Sequence, residues 1–246
     1  MSAIEPDMPV GQIVSDRFQR AAVLEHYGID YCCHGTRSLV VACAEKGLDT
    51  GDVLEELRRS DARSISSNEI DWAHAPLPEL ADHIVAVHHA YLRKTLPSLG
   101  CLLDKVVLAH GVRHPTLAQL RRVYFGLVND LALHMLKEEH VLFPLIRRLT
   151  AGRKQDRSMV TDEDLTNLLS SLEDDHAEVG DALARMCELT DGYQAPANAC
   201  ATYRAALDGL AELESDIHEH VHKENNILFP QTSDMLRRMA LVATHD

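Results

Sequence analysis

The sequence is poor in aromatic residues, in cysteine and in long apolar runs, and each shortage excludes a class of protein. Aromatic residues make up 4% of the 246 positions, which disfavours the stacking platforms that bind single-stranded nucleic acid. Six cysteines in a chain of this length do not resemble the disulfide framework of a small secreted domain. No apolar run approaches the roughly 20 residues that a membrane-spanning helix needs.

Basic residues are also scarce. The 24 lysines and arginines stand against 38 aspartates and glutamates, which gives a formal net charge of −14. Such a surface repels nucleic acid and anionic lipid. The first ten residues are acidic and lack the basic-then-apolar order of a signal peptide. We therefore expect a cytoplasmic protein with reduced thiols, and neither nucleic acid nor a membrane as a partner.

Residues 1–60 show the patterns of several short helices. Apolar residues recur every three or four positions from Val10 to Leu24, which is helical rather than strand-like spacing. A second apolar run extends from Leu39 to Ala44, and Gly47 follows it. A third short helix is expected at 53–57, after a stretch that supplies capping residues. The sequence therefore predicts a small helical domain, and this domain carries the pair Cys32-Cys33.

The remainder of the chain reads as a linker and a larger helical domain. A polar, serine-rich stretch predicts a linker over 61–76. Residues 77–246 contain four long segments with alternating intervals of three and four between apolar residues, and no convincing strand. The fold class is therefore expected to be all-α, with the small N-terminal domain followed by an antiparallel up-down four-helix bundle.

Six polar residues occupy positions that this helical pattern reserves for apolar side chains. A buried, ionised carboxylate without a partner costs several kcal/mol, so the six need a common explanation. Carboxylates and neutral imidazoles are ligands for iron, manganese or zinc. The pattern predicts a pair of metal ions that the two carboxylates bridge. These residues are His89, His134, Glu138, His176, His220 and Glu224.

The two glutamates stand in copies of one motif. Residues 134–144 read His-Met-Leu-Lys-Glu-Glu-His-Val-Leu-Phe-Pro, and residues 220–230 read His-Val-His-Lys-Glu-Asn-Asn-Ile-Leu-Phe-Pro. Each copy is His-x-x-x-Glu, which puts an imidazole and a carboxylate on one helix face about one turn apart. A single histidine on a core face is more often structural than a metal ligand. The repetition, with histidines in register on two further helices, favours metal.

The same periodicity makes predictions about other side chains. It places Val85 and Val141 in the core, and it places His88 and His222 on the surface. Asp175, next to His176, is either a hydrogen-bond partner that fixes an imidazole or a solvated acid.

His110 falls in phase with His89, but 21 residues of continuous helix separate the two by about 31 Å. They can share a site only if the helix breaks, for which Pro97 and Gly100 offer a place.

The adjacent cysteines allow two interpretations. Two adjacent thiols do not easily complete a four-coordinate metal site alone, and a disulfide between neighbours is strained. The functional interpretation is redox chemistry or the transfer of iron or NO at Cys32 and Cys33. The spacing alone slightly favours the other interpretation, an incidental pair.

The motif around the cysteines and the repeated His-x-x-x-Glu motif together resemble one known family. The run Asp30-Tyr31-Cys32-Cys33-His34-Gly35 resembles the N-terminal signature of the iron-sulfur cluster repair di-iron proteins, the RIC family. The two motifs that end in Leu-Phe-Pro are similar to the hemerythrin-like domain of that family. The resemblance covers nearly the whole chain in the expected order.

The resemblance implies a non-haem di-iron centre with bridging carboxylates from Glu138 and Glu224, oxo-bridged when oxidised. It also makes Cys32 and Cys33 candidates for redox chemistry or transfer. The implied histidine ligands are His89, His110, His134, His176 and His220.

The resemblance also implies a function, namely recovery of iron-sulfur proteins damaged by nitric oxide or oxidants. The protein would then donate iron and need not be an enzyme. Its partners would be iron-sulfur cluster proteins and the small molecules NO or O2, and a homodimer is left open. Two alternatives stay open as well. One is a di-iron nitric oxide reductase, and the other is a hemerythrin-type sensor or carrier of O2 or NO.

Overall fold

The computed structural model describes residues 4–63, 70–151 and 161–243. Within these ranges the chain forms helices and no β-strand, apart from an isolated antiparallel bridge between Pro9 and Ser38. The predicted all-α fold is therefore confirmed. No helix in these ranges is long and apolar enough to cross a bilayer.

The N-terminal part folds into short helices around a small apolar core. Val10, Val14 and Leu24, which the periodicity assigns to that core, are fully buried. Gly47 ends the third helix with φ +66°, a left-handed conformation that glycine adopts without strain. In chain order the elements are α1 (Val10–Asp16), a 3₁₀ turn (Phe18–Arg20), α2 (Ala21–His26), α3 (Leu39–Lys46) and α4 (Thr50–Arg63).

Helix α4 is longer than the predicted helix at 53–57 and runs three residues into the predicted linker 61–76. An ion pair accounts for part of this difference. The buried guanidinium of Arg20 donates to both carboxylate oxygens of Asp61, at 3.0 and 2.8 Å, so this polar residue is fixed on the helix. Residues 64–69 of the predicted linker lie outside the described residues.

The rest of the chain forms long helical segments that correspond to the four predicted periodic segments. Within the described residues, three of these segments contain a π-helical turn. The first π turn is Val85–His89, the second is Glu138–Leu142, and the third, in the last segment, is Glu224–Leu228. The helices are α5 (Leu77–Ile84), α6 (Ala90–His110), α7 (Thr116–Lys137), α8 (Phe143–Thr150), α9 (Asp162–Leu189), α10 (Ala201–Lys223) and α11 (Phe229–Ala243).

The π turns correct two predicted core positions. A π turn holds one residue more than an α turn. If core positions are assigned at α-helical intervals from His89 or Glu138, the assignment is therefore one residue off on the other side of the turn. Ile84, and not Val85, is fully buried before the first π turn. Leu142 is fully buried in the second, whereas Val141 is 48% exposed. The placement of Val85 and Val141 in the core was therefore wrong.

The described residues pack into two compact units. One lies within Met1–Leu80 and Val221–Asp246, and the other is Ala81–His220. In the second unit α7 packs against both α6 and α9. The predicted domain limits 1–60 and 77–246 follow sequence order and stay a prediction.

Candidate metal centre

The six polar residues that the sequence places in the helical core are all buried. None is more than 2% exposed, and Glu138 and Glu224 are completely inaccessible to solvent. Two carboxylates at such depth would be strongly destabilising unless their charges were compensated. The six residues are His89, His134, Glu138, His176, His220 and Glu224.

These residues form two groups that each could hold a metal ion. Their potential ligand atoms lie within 4.8 Å of one another in each group. Both groups contain Glu138 and Glu224, so the same two carboxylates serve both. The first group adds His89 and His220, and the second adds His134 and His176.

Distances around Glu138 match the size of a first-row metal ion. The Oε2 atom of Glu138 lies 3.2 Å from Nε2 of His89 and 3.4 Å from Nε2 of His134. The Nε2 atoms of His134 and His176 are 3.0 Å apart. Ligand atoms that lie about 2.1 Å from one ion, at right angles, are separated by about 3.0 Å. The observed separations are therefore compatible with neighbouring ligands of a metal ion in each group.

Two further carboxylates orient the imidazoles from outside the groups. Glu139 lies 2.6 Å from Nδ1 of His89, and Asp175 lies 3.3 Å from Nδ1 of His134. A carboxylate that accepts the Nδ1 proton leaves Nε2 as the metal-binding atom. The sequence left Asp175 open between such a partner and a solvated acid; in the structure it contacts His134 rather than the adjacent His176.

Both outer carboxyls are held in the ionised form. Burial acts to raise the pKa of Glu139, but hydrogen bonds with His89 and Arg93 and the charges of these residues lower it below the ordinary value. For Asp175, burial is likewise outweighed, and hydrogen bonds with Lys137 and His134 lower the pKa. Ionised acceptors strengthen the imidazoles as ligands. The sequence reasoning missed Glu139, whose only signal is its place directly after Glu138.

The residues present fit a metal. His89 Nε2 is buried and makes no hydrogen bond within the described part of the chain, although Glu138 Oε2 is 3.2 Å away. A buried imidazole nitrogen that faces a buried carboxylate without hydrogen-bond geometry is costly as a purely structural contact. A cation between the two atoms would satisfy both.

Three of the grouped residues lie in the π turns. His89 is the last residue of the first, and Glu138 and Glu224 begin the second and third. π turns occur frequently at functional sites. The proline of each Leu-Phe-Pro sequence follows its π turn by two residues, where its missing N–H removes a bond that a regular α-helix would need. Helical periodicity alone did not predict these turns.

His110 lies apart from both groups. Helix α6 runs without interruption through Pro97 and Gly100, so the break that a shared site would require is absent. About 31 Å of helix therefore separates His110 from His89. The ring of His110 instead approaches Tyr203, and its Nε2 lies 3.3 Å from Sγ of Cys200. The rise of the helix therefore corrects the inclusion of His110 among the metal-site residues.

Two histidines that were predicted to be exposed are buried. His88 is 1% exposed, stacks on His220 with an interplanar angle of 2°, and places Nδ1 2.9 Å from Asp216. His222 is also 1% exposed and packs edge-on against Tyr31. Their prediction as surface residues was wrong. For His88 the cause is again the π turn, which turns two consecutive histidines inward.

The cysteine pair lies in the loop after α2. Cys32 is buried and Cys33 half-buried, neither forms a disulfide, and their Sγ atoms are 3.8 Å apart. The contact with Cys33, together with burial and the nearby carboxylate of Asp30, raises the pKa of Cys32. The structure therefore keeps this thiol protonated.

Asparagines of the third π turn hold this loop. Asn225 and Asn226 both donate from their side-chain amides to the carbonyl oxygen of Cys32, at 3.2 and 3.1 Å, and Asn226 also donates to that of Tyr31 at 3.2 Å. The first copy of the motif has Glu139 and His140 at the corresponding positions. This difference between the copies is the signal that the sequence reasoning did not use.

Two known families match the chain. Residues 6–61 match the family described as Domain of Unknown function (DUF542). Residues 80–232 match the Hemerythrin HHE cation binding domain, and this range includes all six grouped residues.

Curated proteins of similar sequence carry one functional description. Iron-sulfur cluster repair protein ScdA of Staphylococcus haemolyticus (strain JCSC1435) is 33% identical over 224 residues, which is 91% of this chain and 97% of that protein. Iron-sulfur cluster repair protein YtfE of Escherichia coli O81 (strain ED1a) is 33% identical over 225 residues, 92% of this chain and 96% of that protein. The YtfE protein of Escherichia fergusonii is 32% identical over the same shares.

Proposed function

This chain belongs to the family of iron-sulfur cluster repair proteins, and from that premise we propose that it donates iron from a two-metal centre in its hemerythrin domain. The observation that carries the proposal is the pair of buried ligand groups that share Glu138 and Glu224. A centre with shared carboxylates would hold two ions next to each other. Its clients would be proteins whose iron-sulfur clusters have lost iron, through nitric oxide or oxidants.

The proposed ligands are those of the two groups. Glu138 and Glu224 would bridge, His89 and His220 would complete one side, and His134 and His176 the other; His110 is not included. Iron held there would be the cargo that a damaged cluster lacks. Glu139 and Asp175 would keep the Nε2 atoms of their imidazoles directed at the centre.

The chemistry of the donor set supports release to a cluster protein. Carboxylates and imidazoles bind first-row divalent metals, whereas the iron of iron-sulfur clusters is held by soft sulfur ligands. Iron that leaves a site of oxygen and nitrogen donors for thiolate and sulfide would therefore move to a better-matched set of ligands. A centre with this donor set can be both stable in storage and a donor to clients.

The test is restoration of a damaged cluster enzyme by the iron-loaded protein, without another source of iron. We expect restored activity in excess of that produced by the same amount of free ferrous iron. Glu138→Gln, which keeps the size and removes the charge, should lose both bound iron and restoration. Asp130→Asn is the matched control, because Asp130 lies exposed on α7. Restoration no greater than with free iron would contradict the proposal.

One observation favours a second candidate function. Because both groups share Glu138 and Glu224, two ions at this centre would be neighbours, and each could bind one of the two NO molecules that couple to N2O. That reaction consumes two electrons and two protons and therefore needs an electron donor. N2O formation over many turnovers with a donor would favour it, whereas a yield limited to one turnover would exclude it.

A further inference from the structure

The loop Asp30–His34 places two thiols at a distance that does not suit a disulfide. Cys32 Sγ and Cys33 Sγ are 3.8 Å apart, whereas a disulfide bond requires about 2.05 Å. Two thiolates that bind one tetrahedral ion, with metal–sulfur bonds of about 2.3 Å, lie about 3.8 Å apart. The separation of the two sulfur atoms is therefore that of two ligands on one metal ion.

A carboxylate oxygen lies close enough to the two sulfur atoms to be a third ligand of the same ion. Asp30 Oδ1 is 3.4 Å from Cys32 Sγ, close to the roughly 3.6 Å expected between a thiolate and a carboxylate oxygen on one tetrahedral ion. The three ligand atoms, from Asp30, Cys32 and Cys33, all lie within 4.8 Å of one another. Three protein ligands leave a fourth position open.

Hydrogen bonds fix the carboxylate in this place. The main-chain N–H groups of Cys32 and Cys33 donate to Oδ1 of Asp30, at 3.0 and 2.9 Å. Nδ1 of His34 lies 2.5 Å from the other oxygen, Oδ2. Carboxylate ligands are characteristically held in this way by partners outside the metal site.

The main chain of the loop is fixed from a second direction. The amide of Asn226 bonds the carbonyl oxygens of Tyr31 and Cys32, and it fits there because Gly11 and Gly35 lack side chains. A Cβ atom at either glycine would lie 2.1 or 2.0 Å from Oδ1 of Asn226. The main chain of the cysteine loop is therefore held by hydrogen bonds from Asn226, in addition to those that hold Asp30.

We propose that Asp30, Cys32 and Cys33 form a second metal site, which binds a divalent first-row ion with an affinity for thiolate and leaves one position open to an incoming ligand. The ion replaces the two thiol protons, which pass to water, and the site with its ion carries a charge of −1. Asp30 is 41% exposed and Cys33 half-buried, so the ion can enter and leave from solvent. That the ion in the cell is ferrous iron in transit to a client rests on the proposed function.

Cobalt(II) is the probe that tests the site. The full-length, iron-loaded protein is titrated with Co2+ under anaerobic conditions and a thiol-free reductant. We expect a thiolate-to-cobalt charge-transfer band that saturates near one equivalent, with proton release. The ligands grouped around Glu138 are nitrogen and oxygen atoms, so the metal centre in the helical core contributes no thiolate band, and variants assign the band to a particular thiol.

Two variants and one control show which thiols give rise to the charge-transfer band. Cys33→Ser removes one sulfur and should lower the band to at most half, with weaker binding. Asp30→Asn keeps an acceptor for the two N–H groups but loses the charge, and should raise the Kd for Co2+ by about tenfold or more, since even loss of an outer partner costs about 10- to 100-fold. Cys200→Ser is the control, because its exposed thiol lies 3.3 Å from His110 and is the other thiol next to a histidine.

The outcomes separate this site from the proposed function. A band that Cys33→Ser and Asp30→Asn weaken, with unchanged bundle iron and unfolding temperature, supports the loop site even if cluster restoration fails. No band in the parent protein, or a band lost only in Cys200→Ser, overturns the loop site and leaves iron donation unaffected.

Discussion

The side-chain amide of Asn226 donates a hydrogen bond of 3.1 Å to the carbonyl oxygen of Cys32. This contact joins positions 194 residues apart, and Asn226 follows the buried Glu224 by two residues in the third π turn. One helical turn therefore contributes a carboxylate to the metal groups and fixes the main chain of the thiol loop. A change in the position of this turn would affect both.

Replacement of Asn226 by Asp tests this connection. The variant keeps the shape but turns two donated hydrogen bonds into contacts between a carboxylate and carbonyl oxygens. We expect the free energy of unfolding to fall by about 1–3 kcal/mol and the thiols of the loop to react faster with a thiol reagent. Asn129→Asp, at an exposed position of α7, should change neither quantity. Equal thiol rates in both variants would show that Asn226 does not hold the loop.

Two glycines in helices give a matched pair of alanine substitutions with opposite expected signs. In Gly11→Ala the new Cβ would lie 2.1 Å from Oδ1 of Asn226, and overpacking of this kind costs about 1–3 kcal/mol. In Gly126→Ala the Cβ meets nothing within 4 Å, so the higher helix propensity of alanine should stabilise by up to about 1 kcal/mol. Denaturant unfolding of both variants measures the difference. A neutral Gly11→Ala would mean that Asn226 can move aside.

The Arg20–Asp61 pair predicts a dependence of stability on pH. Burial acts to raise the pKa of Asp61, but hydrogen bonds with Arg20 and the charges of Arg20 and Arg17 lower it below the ordinary value of 3.8. Because the folded-state pKa is the lower one, the stabilisation is present above the unfolded-state pKa and is lost as the pH falls through the folded-state pKa.

Asp61→Asn should therefore lower the free energy of unfolding by about 1–3 kcal/mol at neutral pH, since it weakens the compensation of the buried Arg20. The deficit relative to the parent protein should shrink below about pH 4. Asp208→Asn removes an exposed acid and serves as the control. A deficit that is constant from neutral to acidic pH would exclude the ion pair as its cause.

The contacts of Glu139 and Asp175 with the imidazoles predict that both carboxylates help to retain the metal. Glu139→Gln and Asp175→Asn keep size but remove the charge that binds Nδ1 of His89 and of His134. Loss of such a partner lowers metal affinity by about 10- to 100-fold, so a chelator should withdraw iron faster from both variants. Asp130→Asn should match the parent protein. If the rate of iron loss to the chelator were unchanged in Glu139→Gln and Asp175→Asn, these carboxylates would not contribute to metal binding.

The sequence predicts the composition of the metal groups better than their geometry. His134 and Glu138 could be identified because charged side chains at apolar positions of a helical pattern need an explanation, and this signal is local. The π turns are not predicted by helical periodicity, because an α-helix accommodates the same pattern of apolar and polar residues. The proline that follows two of these turns by two residues is a local signal that periodicity does not use. The difference between the motif copies marks Asn226, but its contact could not be predicted, since the Cys32 carbonyl lies 194 residues away in the sequence.

His88 shows most directly what the π turn changes, and it supplies the last test. His88 and His140 are both histidines within π turns, and helical periodicity treats both as surface residues. His140 is exposed, whereas His88 is buried between Asp216 and the ring of His220.

His88→Ala should therefore leave a cavity and remove the partner of Asp216 Oδ1, and cost at least about 2 kcal/mol. His140→Ala should stay within about 0.5 kcal/mol of the parent protein. Denaturant unfolding of the two variants measures the contrast. If they proved equally stable, the inward rotation of His88 by the first π turn would be contradicted, and with it the account of why α-helical counting fails at Val85.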